Sequence, residues 1–358
     1  MSVLSMLLVG AVGLAAPADP VHVTGGGPAG ECVWPTTVAV KTSGGLCTGS
    51  LVHPSVVVYA AHCGASDARV LFGQHADAFE LEAEIDFCET NPEYLGASNA
   101  GQDWAYCRLA EPVDVPITPP LYGCETDAIE ADLKVHIAGY GYTSPGMGNG
   151  GKHWAETTII STFGNTATIG GDGASTCPSD SGGSAFIRLD DGGWRAISMV
   201  SAGVGCESAT HALMHPAVPW IEERSGVDIT PCHDVDGTWA PGSDCGGFYA
   251  GETDEEARWE DACADLSVSE PASSCGAAWS EGEDDDDDAS DGDDSDGDGD
   301  EDDDGASDGE DVEVSGADEE AEPTTTEDDA GGCRVGGRAV PLWILLPVLA
   351  IRRRRAPR

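Results

Sequence analysis

Positive charge is scarce in this chain. Its 358 residues hold 16 Lys and Arg against 65 Asp and Glu, a formal charge of −49. A protein that grips nucleic acid through its own field needs the opposite balance, so that class is excluded. No Cys-x-x-Cys pair occurs among the 13 cysteines. That removes the commonest zinc-ligand spacing and leaves disulfides, formed in an oxidising compartment, as the use of so many thiols. No apolar run reaches the roughly 20 residues of a membrane-spanning helix. The two longest, 4–16 and 339–351, have 13 residues each. Aromatics are only 6%, whereas glycine numbers 48. This composition favours short strands joined by tight turns over long helices.

What is present is unevenly spread. Residues 281–330 carry 28 acidic side chains and no Lys or Arg; without that segment the formal charge falls from −49 to −21. The segment cannot bury a core. The apolar run Leu4–Ala16 is followed by Ala16-Pro17-Ala18, an A-x-A-like cleavage site. Residues 1–18 therefore read as a secretory signal peptide, and 19–22 as a short propeptide. At the other end, Cys333 precedes the run Ala339–Ile351 and then Arg352–Arg355. Thirteen residues span about 20 Å as a helix, short of a bilayer core. This layout resembles the C-terminal sorting tails of myxobacterial surface proteins. The resemblance implies that residues 333–358 are a sorting tail, with Cys333 as the processing or lipid-attachment point. A plain membrane anchor is the alternative.

Between the ends lie three pieces. Residues 23–226 have β-branched runs such as Ser55–Ala61 and Ala196–Val200, the signature of an all-β fold. Residues 227–282 hold Cys232, Cys245, Cys263 and Cys275 in polar, Gly-rich sequence, a small stapled extension with three possible pairings. Residues 283–332 form an acidic disordered linker. Its Asp-Gly alternation over 291–304 could bind calcium weakly, although it lacks an EF-hand's closing glutamate; the other reading is a self-repelling spacer.

Chemistry concentrates in three motifs. Val58-Tyr59-Ala60-Ala61-His62-Cys63 ends an apolar strand in a histidine. Asp103-Trp104-Ala105-Tyr106 opens another strand with an acid. Cys177-Pro178-Ser179-Asp180-Ser181-Gly182-Gly183 sets a serine on a sharp turn. A base, an orienting anion and a nucleophile in that chain order are what acyl transfer requires.

These motifs resemble the trypsin- and chymotrypsin-like serine proteases over about 200 residues, with further landmarks at Gly139-Tyr140-Gly141, Val200-Ser201-Ala202-Gly203 and Pro219-Trp220-Ile221-Glu222. The resemblance implies two antiparallel six-stranded Greek-key β-barrels and a short C-terminal helix. It implies His62, Asp103 and Ser181 as the catalytic triad, and the backbone N–H groups of Ser179 and Ser181 as the oxyanion hole. It also implies disulfides Cys47–Cys63 and Cys177–Cys206. Cys32 with Cys124, and Cys88 with Cys107, are further possible pairs. Val23-Thr24-Gly25-Gly26 matches the family's activated N-terminus, so cleavage after His22 is expected to free a Val23 ammonium for Asp180.

The specificity pocket falls on Ser175, Gly203 and Ala209. Ser175 stands where trypsins carry Asp, so a preference for Lys or Arg is not expected. His211 is expected at the solvated surface, with recognition of an acidic residue as the other reading. Ser179 replaces the family's Gly, and its side chain is expected to tilt one oxyanion donor. The resulting expectation is a monomeric, secreted, surface-displayed serine endopeptidase. It acts on protein or peptide substrates, needs no metal or organic cofactor, and meets the membrane or cell surface through its tail. The alternatives are an inactive homologue that binds peptides, and a calcium-dependent adhesin working through the linker.

Overall fold

The computed structural model describes residues 23–142, 149–203, 205–251, 259, 263, 266–272 and 274–276. The expected signal peptide and propeptide, the acidic linker and the expected tail with Cys333 lie outside the described residues. Among the described residues no helix is long and apolar enough to cross a membrane.

The strands are β1 (Gly27–Pro28), β2 (Thr37–Thr42), β3 (Gly45–His53), β4 (Val56–Tyr59), β5 (Arg69–Phe72), β6 (Leu81–Ala83), β7 (Ile85–Thr90), β8 (Ala105–Leu109), β9 (Lys134–Gly139), β10 (His153–Phe163), β11 (Thr166–Gly170), β12 (Ser184–Arg188), β13 (Trp194–Gly203) and β14 (Ser208–Leu213). One helix, α1 (Val218–Ser225), follows them. Pro219 sits in its first turn, where a missing N–H costs nothing, and Gly226 in the left-handed region ends it.

The strands form two antiparallel sheets, each a closed barrel. In the first the order is β6-β5-β2-β3-β4-β8-β7. β6 and β7 are one stretch of chain interrupted only at Glu84, so the ring is six strands with the last one bent. In the second, β9-β10-β11-β14-β13-β12 closes because β12 pairs with β9, and the two-residue β1 is added to β10. The expected six-strand barrels are therefore seven-stranded by count. The extra strands come from a break at Glu84 and from the short N-terminal β1.

Each barrel fills its interior with small branched side chains. Val38, Val40, Leu51, Val57, Val70 and Phe72 pack the first; Val135, Ile137, Ile159, Ile169, Ile187 and Ile197 pack the second. Every fully buried Val or Ile contributes roughly 1.5–3 kcal/mol relative to exposure. At the seam Trp34 stacks on Phe186 at 4.7 Å and meets Trp194 edge-on at 4.9 Å. Tyr140 spans the barrels, its hydroxyl 2.6 Å from Gly73 O. Ser50 Oγ bonds Ser184 Oγ at 2.8 Å across the same seam.

The extension is not the self-contained staple that its four cysteines suggest. Only Cys232–Cys245 closes within it. Cys263 pairs with Cys32, and Cys275 with Cys124, so Cys32 and Cys124 are not bonded to each other. The chain runs back over the protease barrels. Tyr249 N donates to Ile117 O at 2.9 Å, Trp194 N to Tyr249 O at 2.8 Å, and Trp194 Nε1 to Gly251 O at 3.2 Å. Two disulfide anchors on the barrels hold the segment, together with a small apolar cluster of Cys232, Cys245 and Phe248. Cys47–Cys63, Cys88–Cys107 and Cys177–Cys206 complete the set.

Candidate active site

His62 lies on the short turn Ala61–Cys63 that follows β4, and Asp103 ends the turn Ala97–Gln102 before β8. β4 and β8 are hydrogen-bonded neighbours, with Tyr59 opposite Ala105, and this register brings the two together. Asp103 is fully buried and accepts three hydrogen bonds. Its Oδ1 takes the backbone N–H of His62 at 2.9 Å. Its Oδ2 lies 2.7 Å from His62 Nδ1 and 2.6 Å from Ser201 Oγ. A carboxylate can only accept, so Nδ1 carries the proton and Nε2 keeps a free lone pair. The imidazole is thus held as a base, with 28% of its side chain exposed.

Ser181 stands on the turn entering β12. Its carbonyl accepts from Thr48 N at 2.9 Å, and Gly182 N donates to Val200 O at 2.8 Å. Gly182 has φ +84°, and a Cβ there would come within 2.5 Å of Thr48 O and 2.6 Å of Ala60 N. The close approach of this turn to β3 and β4, which sets Ser181 beside the His62 strand, therefore requires glycine. Among the described residues Ser181 Oγ makes no hydrogen bond, to His62 included. Such contacts commonly tighten only when substrate binds.

Ser179 adopts φ +77°. That is the left-handed region, which glycine enters freely and a non-glycine residue only with strain of order 1–3 kcal/mol. The turn is held from both sides. Thr48 Oγ1 donates to Ser179 O at 3.1 Å, and Asn149 Nδ2 to Ser179 Oγ at 3.2 Å. Among the described residues neither the Ser179 nor the Ser181 N–H has an acceptor, the condition for donors reserved to a developing oxyanion.

Asp180 is 1% exposed. Gly141 N and Cys177 N donate to its two oxygens at 2.7 and 2.8 Å. Burial nevertheless pushes its carboxyl up to about 7, the backbone bonds only partly opposing it. Val23 is also buried, at 2%. Thr24 forms a bridge with Ser175, accepting Ser175 N at 3.0 Å, and its hydroxyl lies 3.3 Å from Cys177 Sγ.

Next to Ser181 opens a cavity of about 280 Å³ lined by Thr176, Cys177, Pro178, Ser181, Val200–Gly203, Gly205 and Ala209. It has no charged side chain. Gly203 and Ala209 face each other across β13 and β14. Thr176 is among the lining residues and Ser175 precedes it in sequence, its N–H donated to Thr24 O at 3.0 Å and its hydroxyl 3.5 Å from Thr176 O. Thr176 Oγ1 is buried without a hydrogen-bond partner.

His211 departs from its expected place at the surface. It is fully buried on β14, 3.0 Å from Ser198 Oγ. Burial pushes it down to about 3, so it stays neutral and offers no charge to an acidic side chain. A larger cavity, about 440 Å³ and rimmed by Glu80, Glu82, Glu84 and Glu111, shares no lining residue with the triad.

Sequence reasoning missed three supports: Ser201 on Asp103, and Thr48 and Asn149 on the Ser179 turn. Val200–Gly203 was legible as a strand, but nothing in the spelling of Ser201 says its hydroxyl turns inward. Thr48 reaches the site from β3 and Asn149 from the loop between β9 and β10.

The comparisons agree with this geometry. The family model described as Trypsin matches residues 23–221. Vitamin K-dependent protein C of mouse is 28% identical over 207 residues, covering 49% of this chain and 45% of the relative. The rat protein is 29% identical over 210 residues, with 49% and 44% covered. A trypsin-like protease of Streptomyces glaucescens is 28% identical over 212 residues, with 54% and 76% covered. The chain spans less than half the length of the protein C relatives. The family model covers more than half of the 358 residues, and the chain belongs to the trypsin family.

Proposed function

We propose that this protein is a serine endopeptidase that cleaves peptide bonds through an acyl-enzyme. The observation that carries the reading is the bonded His62–Asp103 pair set beside the strained Ser179–Ser181 turn. In this reading Ser181 Oγ attacks the scissile carbonyl and His62 Nε2 takes its proton. Asp103 holds the tautomer and the charge that forms. The N–H groups of Ser179 and Ser181 receive the oxyanion. His62 then returns the proton to the leaving amine, and water repeats the sequence on the ester.

Substrate preference follows from the cavity. A Lys or Arg side chain would bury its charge with no counter-charge in the lining, which is costly. Small to medium uncharged side chains fit the uncharged walls. Profiling cleavage of a peptide library tests this. A profile dominated by Lys or Arg before the cut would overturn it.

The enzyme is made as a zymogen, secreted and displayed at the cell surface through its tail. Support for activation comes from the buried Asp180, which lacks a cationic partner among the described residues, and from Thr24 already docked on Ser175. A free Val23 ammonium would supply the missing charge. The consequence is measurable with Ser181→Ala chains that cannot digest themselves. In the uncleaved chain Asp180 binds its proton more tightly folded than unfolded, so stability falls as pH rises from about 4 to about 7. In a chain beginning at Val23 the ion pair lowers that carboxyl and removes the fall. The stability gained by the shorter chain should therefore grow across this range. Denaturant unfolding at several pH values reads it; a gap independent of pH would contradict the pairing.

Ser179→Gly isolates the strain. Glycine accepts φ +77° without a Cβ penalty, so the variant should be more stable by about 1 kcal/mol. Because the parent turn already has the required conformation, kcat on an ester substrate should stay within a few-fold. A tenfold rise in kcat would mean that the serine side chain tilts the donor after all.

A further inference from the structure

Among the described residues six disulfides are formed, and one differs from the rest in access. In the other five at least one cysteine is buried: Cys32 and Cys263, Cys47 and Cys63, Cys107, Cys177 and Cys206, Cys232 and Cys245 are each at or below 9%. Cys124 is exposed and Cys275 half-buried. Thiol–disulfide exchange begins with a thiolate reaching a sulfur, so access selects which bridge opens first.

A third ligand stands beside this bridge. His233 Nε2 lies 3.9 Å from Cys124 Sγ and 3.9 Å from Cys275 Sγ. The imidazole is fixed edge-to-face against Tyr122 at 5.9 Å and Trp239 at 5.1 Å. Its approach depends on Gly123, where a Cβ would meet His233 Cδ2 at 2.6 Å and Gly237 O at 2.2 Å. In a tetrahedral zinc site, bonds of about 2.3 Å to sulfur and 2.0–2.1 Å to nitrogen put those ligand atoms roughly 3.6 Å apart. Both sulfur–nitrogen separations are already close to that value; only the two sulfurs need to part.

We propose that Cys124–Cys275 is the reducible disulfide of this protein and that, once opened, Cys124, Cys275 and His233 form a site for a thiophilic divalent cation of the zinc class. An external dithiol supplies the electrons. Its thiolate attacks the exposed Cys124 sulfur and the S–S bond breaks. Cys275 leaves as a thiolate and takes up a proton. The second thiol of the reductant then resolves the mixed disulfide, leaving Cys124 and Cys275 as thiols and the reductant as a cyclic disulfide. The cation replaces the two thiol protons, which go to solvent, and takes the lone pair of His233 Nε2. A water fills the fourth position. The ion thereby replaces one covalent tie between the barrels and the end of the extension. The other histidine with cysteines nearby, His62 with Cys47 and Cys63, does not compete: those cysteines are buried, and its Nδ1 is engaged by Asp103.

The test uses the full chain carrying Ser181→Ala. Limited dithiol treatment under native conditions, followed by alkylation and peptide mapping, should label Cys124 and Cys275 before any other of the twelve disulfide-bonded cysteines. After removal of the dithiol, Cd²⁺ alone should give a thiolate-to-metal absorption saturating at one ion per chain, with two protons released. His233→Ala should weaken Cd²⁺ binding by more than the roughly 10–100-fold that loss of an outer-sphere partner costs. His233→Gln, which keeps the ring's approximate volume, provides the same readout if the alanine variant is unfolded. Earlier labelling of a cysteine from another of the six disulfides, or Cd²⁺ affinity unchanged in both His233 variants, would overturn the proposal.

Discussion

Ser181→Ala should lower kcat on peptide esters and amides by roughly 10⁶, the scale lost when a triad nucleophile is removed. The fold should survive. The turn is held by main-chain bonds, Thr48 N to Ser181 O and Gly182 N to Val200 O, and none involves Oγ. What remains, about 10³–10⁴ over water, belongs to the oxyanion donors and to binding. Parallel measurement of kcat and of the unfolding transition separates the two effects. A variant keeping half the parent's activity would remove Ser181 from the mechanism, and one that lost both activity and its transition would show the hydroxyl to be structural.

Asp103→Asn should cost about 10⁴ in kcat, the size known for this change in a chymotrypsin-type triad, equivalent to roughly 5.5 kcal/mol. Asp103 accepts from His62 N, His62 Nδ1 and Ser201 Oγ. An amide has one acceptor oxygen for these three donors. If its N–H₂ faces His62, Nδ1 must accept, the proton moves to Nε2, and the base toward Ser181 is lost. KM should change little, because Asp103 is fully buried and absent from the substrate cavity. Steady-state kinetics on one ester would decide. A loss below tenfold would mean that His62 is oriented by something other than this carboxylate.

How much of this was legible in the sequence depends on distance along the chain. His62, Asp103 and Ser181 each sit in a short apolar or glycine-rich context that says strand end or sharp turn, so motif and spacing sufficed. The Gly182 turn was readable for the same reason. Pairings between distant segments were not. Cys32–Cys263 spans 231 residues and Cys124–Cys275 spans 151, and no local pattern specifies either. The extension looked self-contained because its polar sequence hid its backbone bonds to Ile117 and Trp194. His211 was misread because a lone histidine in Ser-Ala-Thr-His-Ala-Leu gives no hint of Ser198 across the sheet. At Ser179 the sequence exposed the oddity, but only the backbone angle showed that the serine stands in the left-handed region.

The most direct test of the central claim is covalent. A fluorophosphonate phosphonylates only a serine whose hydroxyl is activated by a neighbouring base and whose adduct oxygen is held by an oxyanion hole. The chain beginning at Val23, incubated with such a probe and mapped by mass spectrometry, should carry one adduct, on Ser181. His62→Ala should abolish labelling without unfolding the protein. Labelling that is absent from the folded parent chain, placed on another serine, or unchanged by His62→Ala would contradict the account.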